Sequence, residues 1–206
     1  LDESAWAKVI VRINDSNSPF FAGDLTWLKI QPVAEVMLAK CEYPQQVSEL
    51  LGVLRIGTKV LPLIETVQGV MNAQAITQTD GVSRLAFGSI DYQLDLDVPD
   101  SSPALHYAAV QLAMVSKIIQ KPTPVAGVTP QLDASSVQAD WHHARSLGFG
   151  AKMCIHPQQV QALHAAMQPT DSDLAWAHRV VKTWEQHGSC GAVQVDGQMV
   201  DKPVLM

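Results

Sequence analysis

An α/β fold built on a parallel sheet of the (β/α)-barrel type is what this sequence predicts, on three observations. Short apolar, β-rich runs alternate with amphipathic helical stretches from one end to the other. The short runs are apolar throughout instead of alternating, as strands covered on both faces must be. Acids stand just beyond two successive runs, at the strand ends where barrels of this kind gather their chemistry.

Strands are expected at Val9–Ile13, Glu35–Ala39, Lys59–Ile64, Arg84–Gly88, Pro124–Val128 and Ala151–Ile155, bounded by Gly, Pro, Asn or Asp. Between them, helical patterns run near Ala22–Ile30, Pro44–Arg55, Val67–Thr77, Pro103–Gln120 and Ser135–Leu147, then Pro157–Met167 and Ser172–His187. Asp133 and Pro157 are helix-initiation signals, and Gly148 and Gly188 are stops. The opening Leu1-Asp-Glu-Ser-Ala-Trp6 reads as the tail of a helix. Regular strand–helix alternation implies right-handed crossovers between parallel strands. Six units are visible where a closed barrel takes eight. Either the sheet is open or two units precede Leu1, and the helix-tail start favours the second; the expectation is a TIM (β/α)8-type barrel over residues 1–190, with its first two βα units missing from this chain, and a C-terminal appendix at 191–206.

Composition narrows the function. At 206 residues the chain can bury a sizeable core as one domain, and 47% hydrophobic against 17% charged residues marks it as globular. A net charge of −6 without a Lys/Arg cluster argues against nucleic acid, whose phosphates demand a basic face. No apolar run reaches the ~18 residues of a membrane span, and no secretory leader is visible. Cys41, Cys154 and Cys190 are odd in number and widely spaced, so they read as free thiols in a reducing compartment; the expected location is the cytoplasm. No GxGxxG follows the first strand and no GxxxxGK[ST] occurs, so nucleotide-binding sheets of those kinds lack their key residues.

The chemistry gathers beyond the strand ends. Arg12 and Asn14 come from the first, Lys40 from the second, Glu65 from the third, Asp91 after the fourth and His156 from the sixth. Each has an ordinary account alone. Glu65 or Asp91 could cap a helix, Arg12 could pair with either acid, Lys40 could be a solvated rim residue, and His156 before Pro157 could be a turn residue. Together they suggest a divalent metal site. Two protein carboxylates, with substrate and water completing the shell, is the Mg²⁺ manner of binding. A metal so held can chelate a 2-oxo acid as template and Lewis acid, and Arg12 can steady an enolate oxygen. His142 and His143 are neighbours on a helix and diverge by about 100°, while His106, His164, His178 and His187 have no partner at i+4. The stretch Trp176–Trp184 is expected to lay an apolar helix face on the barrel.

Val11-Arg-Ile-Asn14, Leu61-Pro-Leu-Ile-Glu-Thr66 with Gly69-Val70, and Leu85-Ala-Phe-Gly-Ser-Ile-Asp91 resemble the citrate lyase β-subunit-like branch of the HpcH/HpaI aldolase superfamily. So do Gly127-Val-Thr129, Gly148-Phe-Gly-Ala-Lys-Met-Cys-Ile-His-Pro157 and Val195-Asp-Gly-Gln-Met-Val-Asp-Lys-Pro203, in order and over essentially the whole chain. The resemblance implies a Mg²⁺-dependent TIM-barrel lyase, trimeric or hexameric, that cleaves or forms malyl-, citramalyl- or citryl-thioesters to give acetyl-CoA and a 2-oxo acid. It implies that Glu65 and Asp91 are metal ligands and that Arg12 holds substrate and enolate, with Lys40 beside it. It implies that Asp201 lies on a flap, residues 191–206, that reaches a neighbouring subunit for acid–base steps, hydrolysis or malate-synthase-like condensation. The sequence departs from the family in lacking the two first βα units, in Leu38-Ala-Lys40 where Leu-Pro-Lys is usual, and in Ala126 where an acid often precedes Gly-Val. The expected activity is citramalyl-CoA or malyl-CoA cleavage, with a citrate lyase β-subunit and an inactive barrel scaffold as the rivals.

Overall fold

The computed structural model describes residues 3–100, 102–187 and 191–205, so the expected stop at Gly188 and the thiol of Cys190 lie outside the described residues. The elements run α1 (Glu3–Trp6), β1 (Ile10–Ile13), α2 (Phe21–Leu28), β2 (Glu35–Leu38), α3 (Pro44–Val53) and β3 (Lys59–Ile64). They continue through α4 (Val67–Met71), α5 (Ala73–Gln78), β4 (Ala86–Phe87), α6 (Ser89–Leu96), α7 (Pro103–Ile118), β5 (Val125–Ala126), α8 (Ala134–Ser146) and β6 (Ala151–Lys152). The last are α9 (Pro157–Met167), α10 (Asp171–His187), β7 (Val193–Val195), β8 (Gln198–Val200) and α11 (Lys202–Leu205). Two compact units result, Leu1–Ala162 and Leu163–Met206.

In the first unit β1 to β6 form one sheet in sequence order, and every pairing is parallel. This is the half-barrel that six consecutive strand–helix units make when each strand lies beside its predecessor. Val36 sits between Val11 and Val60 in register, and Leu63 and Ile64 pair with Ala86 and Phe87. Burial explains the uninterrupted apolar runs, because the two faces feed two clusters. Val36, Leu38, Val60, Ile64 and Phe87 join the main core with Leu50, Ile76, Leu85, Leu112 and Phe149. Leu61, Leu63 and Ala86 face the other way with Met37, Val125 and Met153. Strand alternation places Glu65 in the row of Leu61 and Leu63.

Local signals explain the helix starts. Asp133 caps α8 by accepting from the Ser136 N–H at 2.9 Å, and Ser102 caps α7 through the Ala104 N–H. Gln46 reaches back from α3 to accept from the N–H groups of Glu42 and Tyr43. The expected helix over 67–77 is instead two, broken at Asn72, whose Nδ2 donates to the Glu42 carbonyl. Helix α6 was not anticipated, because its polar SIDYQLDL carries little apolar periodicity; it ends at Asp97 in the left-handed region, φ +56°. Strands β4 to β6 are shorter than expected, although single sheet-type bonds continue past two of their ends, from the Gly88 N–H to the Ile64 carbonyl and from the Met153 N–H to the Ala126 carbonyl.

Within the second unit Val180 of α10 is buried with Val195 and Val200 of the β7–β8 hairpin, and Trp176 and Val193 pack against them. Arg179 pairs with Asp196 at 2.8 Å across the same contact. The hairpin is what Trp176 is seen to cover.

Strand β6 carries a buried cation. The Lys152 side chain is 2% exposed, and its Nζ donates to Asp140 Oδ2 at 2.6 Å and to the Gly127 carbonyl at 2.7 Å. Thr129 donates to the same carboxylate oxygen. Asp140→Ala leaves this ammonium without a carboxylate partner, with only the Gly127 carbonyl to accept from it, and should cost about 2–4 kcal/mol by urea denaturation, scaled down because the carboxylate is half-exposed. Lys152→Met in the same background should recover most of the loss; a double variant no more stable than Asp140→Ala would contradict the pairing.

Candidate functional site

β3 delivers Glu65 to the carboxyl edge of the sheet and Thr66 then opens α4, its Oγ1 accepting from the Gly69 N–H at 3.1 Å. The helix cap is therefore Thr66, and the Glu65 carboxylate is turned elsewhere. Glu65 is 5% exposed, and its Oε1 accepts from the Lys40 backbone N–H at 2.8 Å. Lys40 adopts φ +46°, a left-handed conformation that costs a non-glycine residue about 1–2 kcal/mol. That bend follows β2 directly and aims the amide across to β3. On the other side the carboxylate lies against Gly88, where an added Cβ would fall 2.6 Å from Oε2 and 2.7 Å from the Glu65 Cβ. Only a residue without a side chain fits there.

Arg12 on β1, Lys40 after β2 and Asp91 in the first turn of α6 are all exposed, around a buried Glu65. Asn14 ties down the end of β1, donating to Asp24 Oδ2 from its backbone at 2.9 Å and its side chain at 2.7 Å. Burial pushes the Glu65 carboxyl above its usual range. The Lys40 N–H opposes this, the negative charge of Asp91 adds to it, and the charges of Lys40 and Arg12 oppose it again. The charges of all three expected neighbours thus act on Glu65, and the contact seen directly is the Lys40 backbone amide. Among the described residues neither Glu65 nor Arg12 is in an ion pair within 4.0 Å.

His156 has the turn role: its Nδ1 accepts from the Gln158 N–H and its carbonyl from Gln159, at the start of α9. Asp201 follows β8 in the second unit, half-buried, its carbonyl accepting from Val204. Cys41 is a buried thiol pushed up to about 12 by its burial, and Cys154 is half-buried and also raised; both are free. No helix of the described residues is long and apolar enough to cross a membrane.

The donor set suits a small hard cation. Among the described residues no three His, Cys, Asp or Glu side chains converge, so structural-zinc coordination lacks its ligands here. A buried carboxylate outside any close ion pair among the described residues, with an exposed carboxylate at Asp91, is an all-oxygen donor set that would leave most of a coordination shell to water and substrate, as Mg²⁺ prefers.

Residues 2–157 match the family described as HpcH/HpaI aldolase/citrate lyase. The chain belongs to this family. Within it, a citrate lyase subunit beta-like protein of Deinococcus radiodurans is 33% identical over 205 residues, covering 96% of this chain and 72% of the relative. The mitochondrial citramalyl-CoA lyase of Rattus norvegicus is 23% identical, covering 95% of this chain and 65% of that one. The crystal structure of protein CitE from Mycobacterium tuberculosis, in complex with magnesium, acetoacetate and coenzyme A, superposes with a TM-score of 0.87 at 29% identity. That match covers 100% of this chain and 76% of the other. These relatives are lyases, and this chain is an enzyme of their class.

The Lys40 amide and Gly88 escaped the sequence reading. Lys40 was singled out for its ammonium, and no sequence signal announces a left-handed lysine. Gly88 sits in a motif that was noticed, but its reason appears only once Glu65 lies across it.

Two outcomes test this geometry. Gly88→Ala, at an ordinary backbone angle, should cost about 1–3 kcal/mol through overlap with Glu65 and should weaken divalent-cation binding; calorimetry with Mg²⁺ showing parental affinity would refute the contact. Because Glu65 holds its proton more tightly folded than unfolded, its ionisation subtracts stability as pH rises from about 4.5 through the folded value. Glu65→Gln, which keeps an acceptor for the Lys40 N–H, should therefore be at least as stable as the parent at pH 7. Urea melts at pH 4 and 7 read the difference, and a variant weaker only at pH 7 would reverse the sign.

Proposed function

We propose that the protein is a Mg²⁺-dependent carbon–carbon lyase that cleaves a short 3-hydroxyacyl-CoA thioester, citramalyl-CoA or malyl-CoA, to acetyl-CoA and a 2-oxo acid. The observation that carries this reading is Glu65: buried, raised, without an ion pair among the described residues, and within the electrostatic reach of Asp91, Arg12 and Lys40. The magnesium, acetoacetate and coenzyme A held by the M. tuberculosis CitE structure support it.

In this reading Glu65 and Asp91 hold the cation, whose charge when bound polarises the oxygens of the 2-oxo acid portion. Lys40 and Arg12 provide the positive charge that orients the substrate's carboxylate and thioester. The substrate hydroxyl gives up its proton to a base, for which Asp201 from a neighbouring copy is the candidate. Its oxygen becomes the keto group, the bond to the thioester α-carbon breaks, and the electron pair passes to the thioester enolate. Arg12 donates hydrogen bonds to that enolate oxygen, and protonation at the α-carbon releases acetyl-CoA. The six units correspond to consecutive units of a TIM-type (β/α)8 architecture, with residues 1–190 as the barrel part and 191–206 as a flap completing a neighbour's site in a cytoplasmic homotrimer or hexamer. A second reading, cleavage of a citryl-acyl-carrier thioester as a citrate lyase β-subunit, draws on the name of the D. radiodurans relative.

A panel of citramalyl-, malyl- and citryl-thioesters, on CoA and on an acyl carrier, separates the readings by which thioester is turned over with Mg²⁺; turnover of none leaves an inactive scaffold. Glu65→Gln should abolish Mg²⁺-dependent turnover, and retained activity rejects the ligand role. Arg12→Ala should lower kcat by about 10²-fold or more, whereas a change confined to KM would assign it to binding alone.

A further inference from the structure

Helices α7 and α8 bring together two histidines that lie 37 residues apart in the chain, His106 and His143. Their Nε2 atoms are 3.1 Å apart and their ring centroids 4.8 Å apart, with the planes tilted by 55°. Both side chains are exposed. The helices that carry them are anchored by the Ser102 and Asp133 caps. Two ring nitrogens facing each other at this distance are satisfied in two ways. One imidazole can donate its proton to the other's lone pair, or both lone pairs can point at one cation. The spacing fits the second without moving a helix: nitrogens about 2.0–2.1 Å from a zinc-type ion, at a near-tetrahedral angle, stand roughly 3.1–3.4 Å apart.

The surroundings suit a cation with open coordination. His106 and His143 line a cavity of about 670 Å³ together with Asp100, Ser136, Asp140 and Lys152. The charge of Lys152 is met by Asp140, which also accepts from Thr129, so the cavity wall does not repel a positive ion. Asp140 stays occupied by those contacts, and the remaining coordination positions fall to water in the cavity. Imidazole pairs select borderline ions such as Zn²⁺, Ni²⁺ or Cu²⁺ over the hard Mg²⁺. Glu65, Asp91, Arg12 and Lys40 do not line this cavity.

We propose that His106 and His143 form a two-histidine site for a borderline divalent transition ion, cross-linking α7 to α8 over this cavity and separate from the Glu65–Asp91 site. Titration calorimetry of the full chain with Zn²⁺ in excess Mg²⁺, and its melting temperature with and without Zn²⁺, test it. The parent should bind Zn²⁺ and melt higher with it. His106→Ala and His143→Ala should each lower the affinity by about tenfold or more and remove the rise, whereas His142→Ala, its ring on another face of α8, should change neither. His106→Gln and His143→Gln, polar and of similar size at exposed positions, provide folded variants should an alanine variant be unstable. A parent that binds no Zn²⁺, or single variants that bind it as the parent does, overturns the proposal.

Discussion

A carboxylate taken out of water at the end of a strand is costly, and the candidate site is arranged around that cost. Glu65 is 5% exposed, and its carboxyl is raised chiefly by that burial. What holds it in place is backbone rather than charge. The Lys40 amide donates to one oxygen from a left-handed conformation, and Gly88 leaves room for the other. The positive charges of Arg12 and Lys40 ease its ionisation without closing on it, and Asp91 works against it. The result is a negative charge kept short of compensation.

The same unit handles a second buried charge in the opposite manner. Lys152 is enclosed by Asp140 and the Gly127 carbonyl, and Thr129 completes the group. Every partner there is supplied by the protein, so the cluster joins β6, α8 and the loop after β5 and has nothing left to offer a ligand. Placed side by side, the two arrangements separate a structural ion pair from a poised one. Burial alone marks neither; the presence or absence of a counter-charge does.

The architecture was legible wherever the signal was local and repeated. Lys59–Ile64 was read with its observed limits, because six apolar or β-branched residues between Gly57 and Glu65 leave little freedom. The helices over 103–118, 134–146 and 157–167 were visible from apolar periodicity, the last two also from Asp133 and Pro157 at their starts. α6 was not, since its amphipathic signal is diluted by three acids and amides, and the break at Asn72 was not, since its cause is a hydrogen bond to a carbonyl 30 residues away. At the site, the position of Glu65 could be read from the sequence, but not the amide and the glycine that contact it. His106 and His143 were set aside because helix spacing reports partners within one helix only. Their meeting depends on how two helices pack, which no single segment encodes.

One consequence follows from the two-sided use of β3. Val60 and Ile64 serve the helix-covered core while Leu61 and Leu63 serve the opposite cluster, and Glu65 continues the second row. Because the side-chain period of a strand is two, sliding β3 by one position would exchange the rows, sending the carboxylate among the helices and an isoleucine to the rim. Two unlike apolar surfaces flanking it make such a slip doubly unfavourable. Packing thereby acts as the ruler that sets where this acid emerges, and a single-residue insertion or deletion within Lys59–Ile64 would displace both apolar rows and the carboxylate at once.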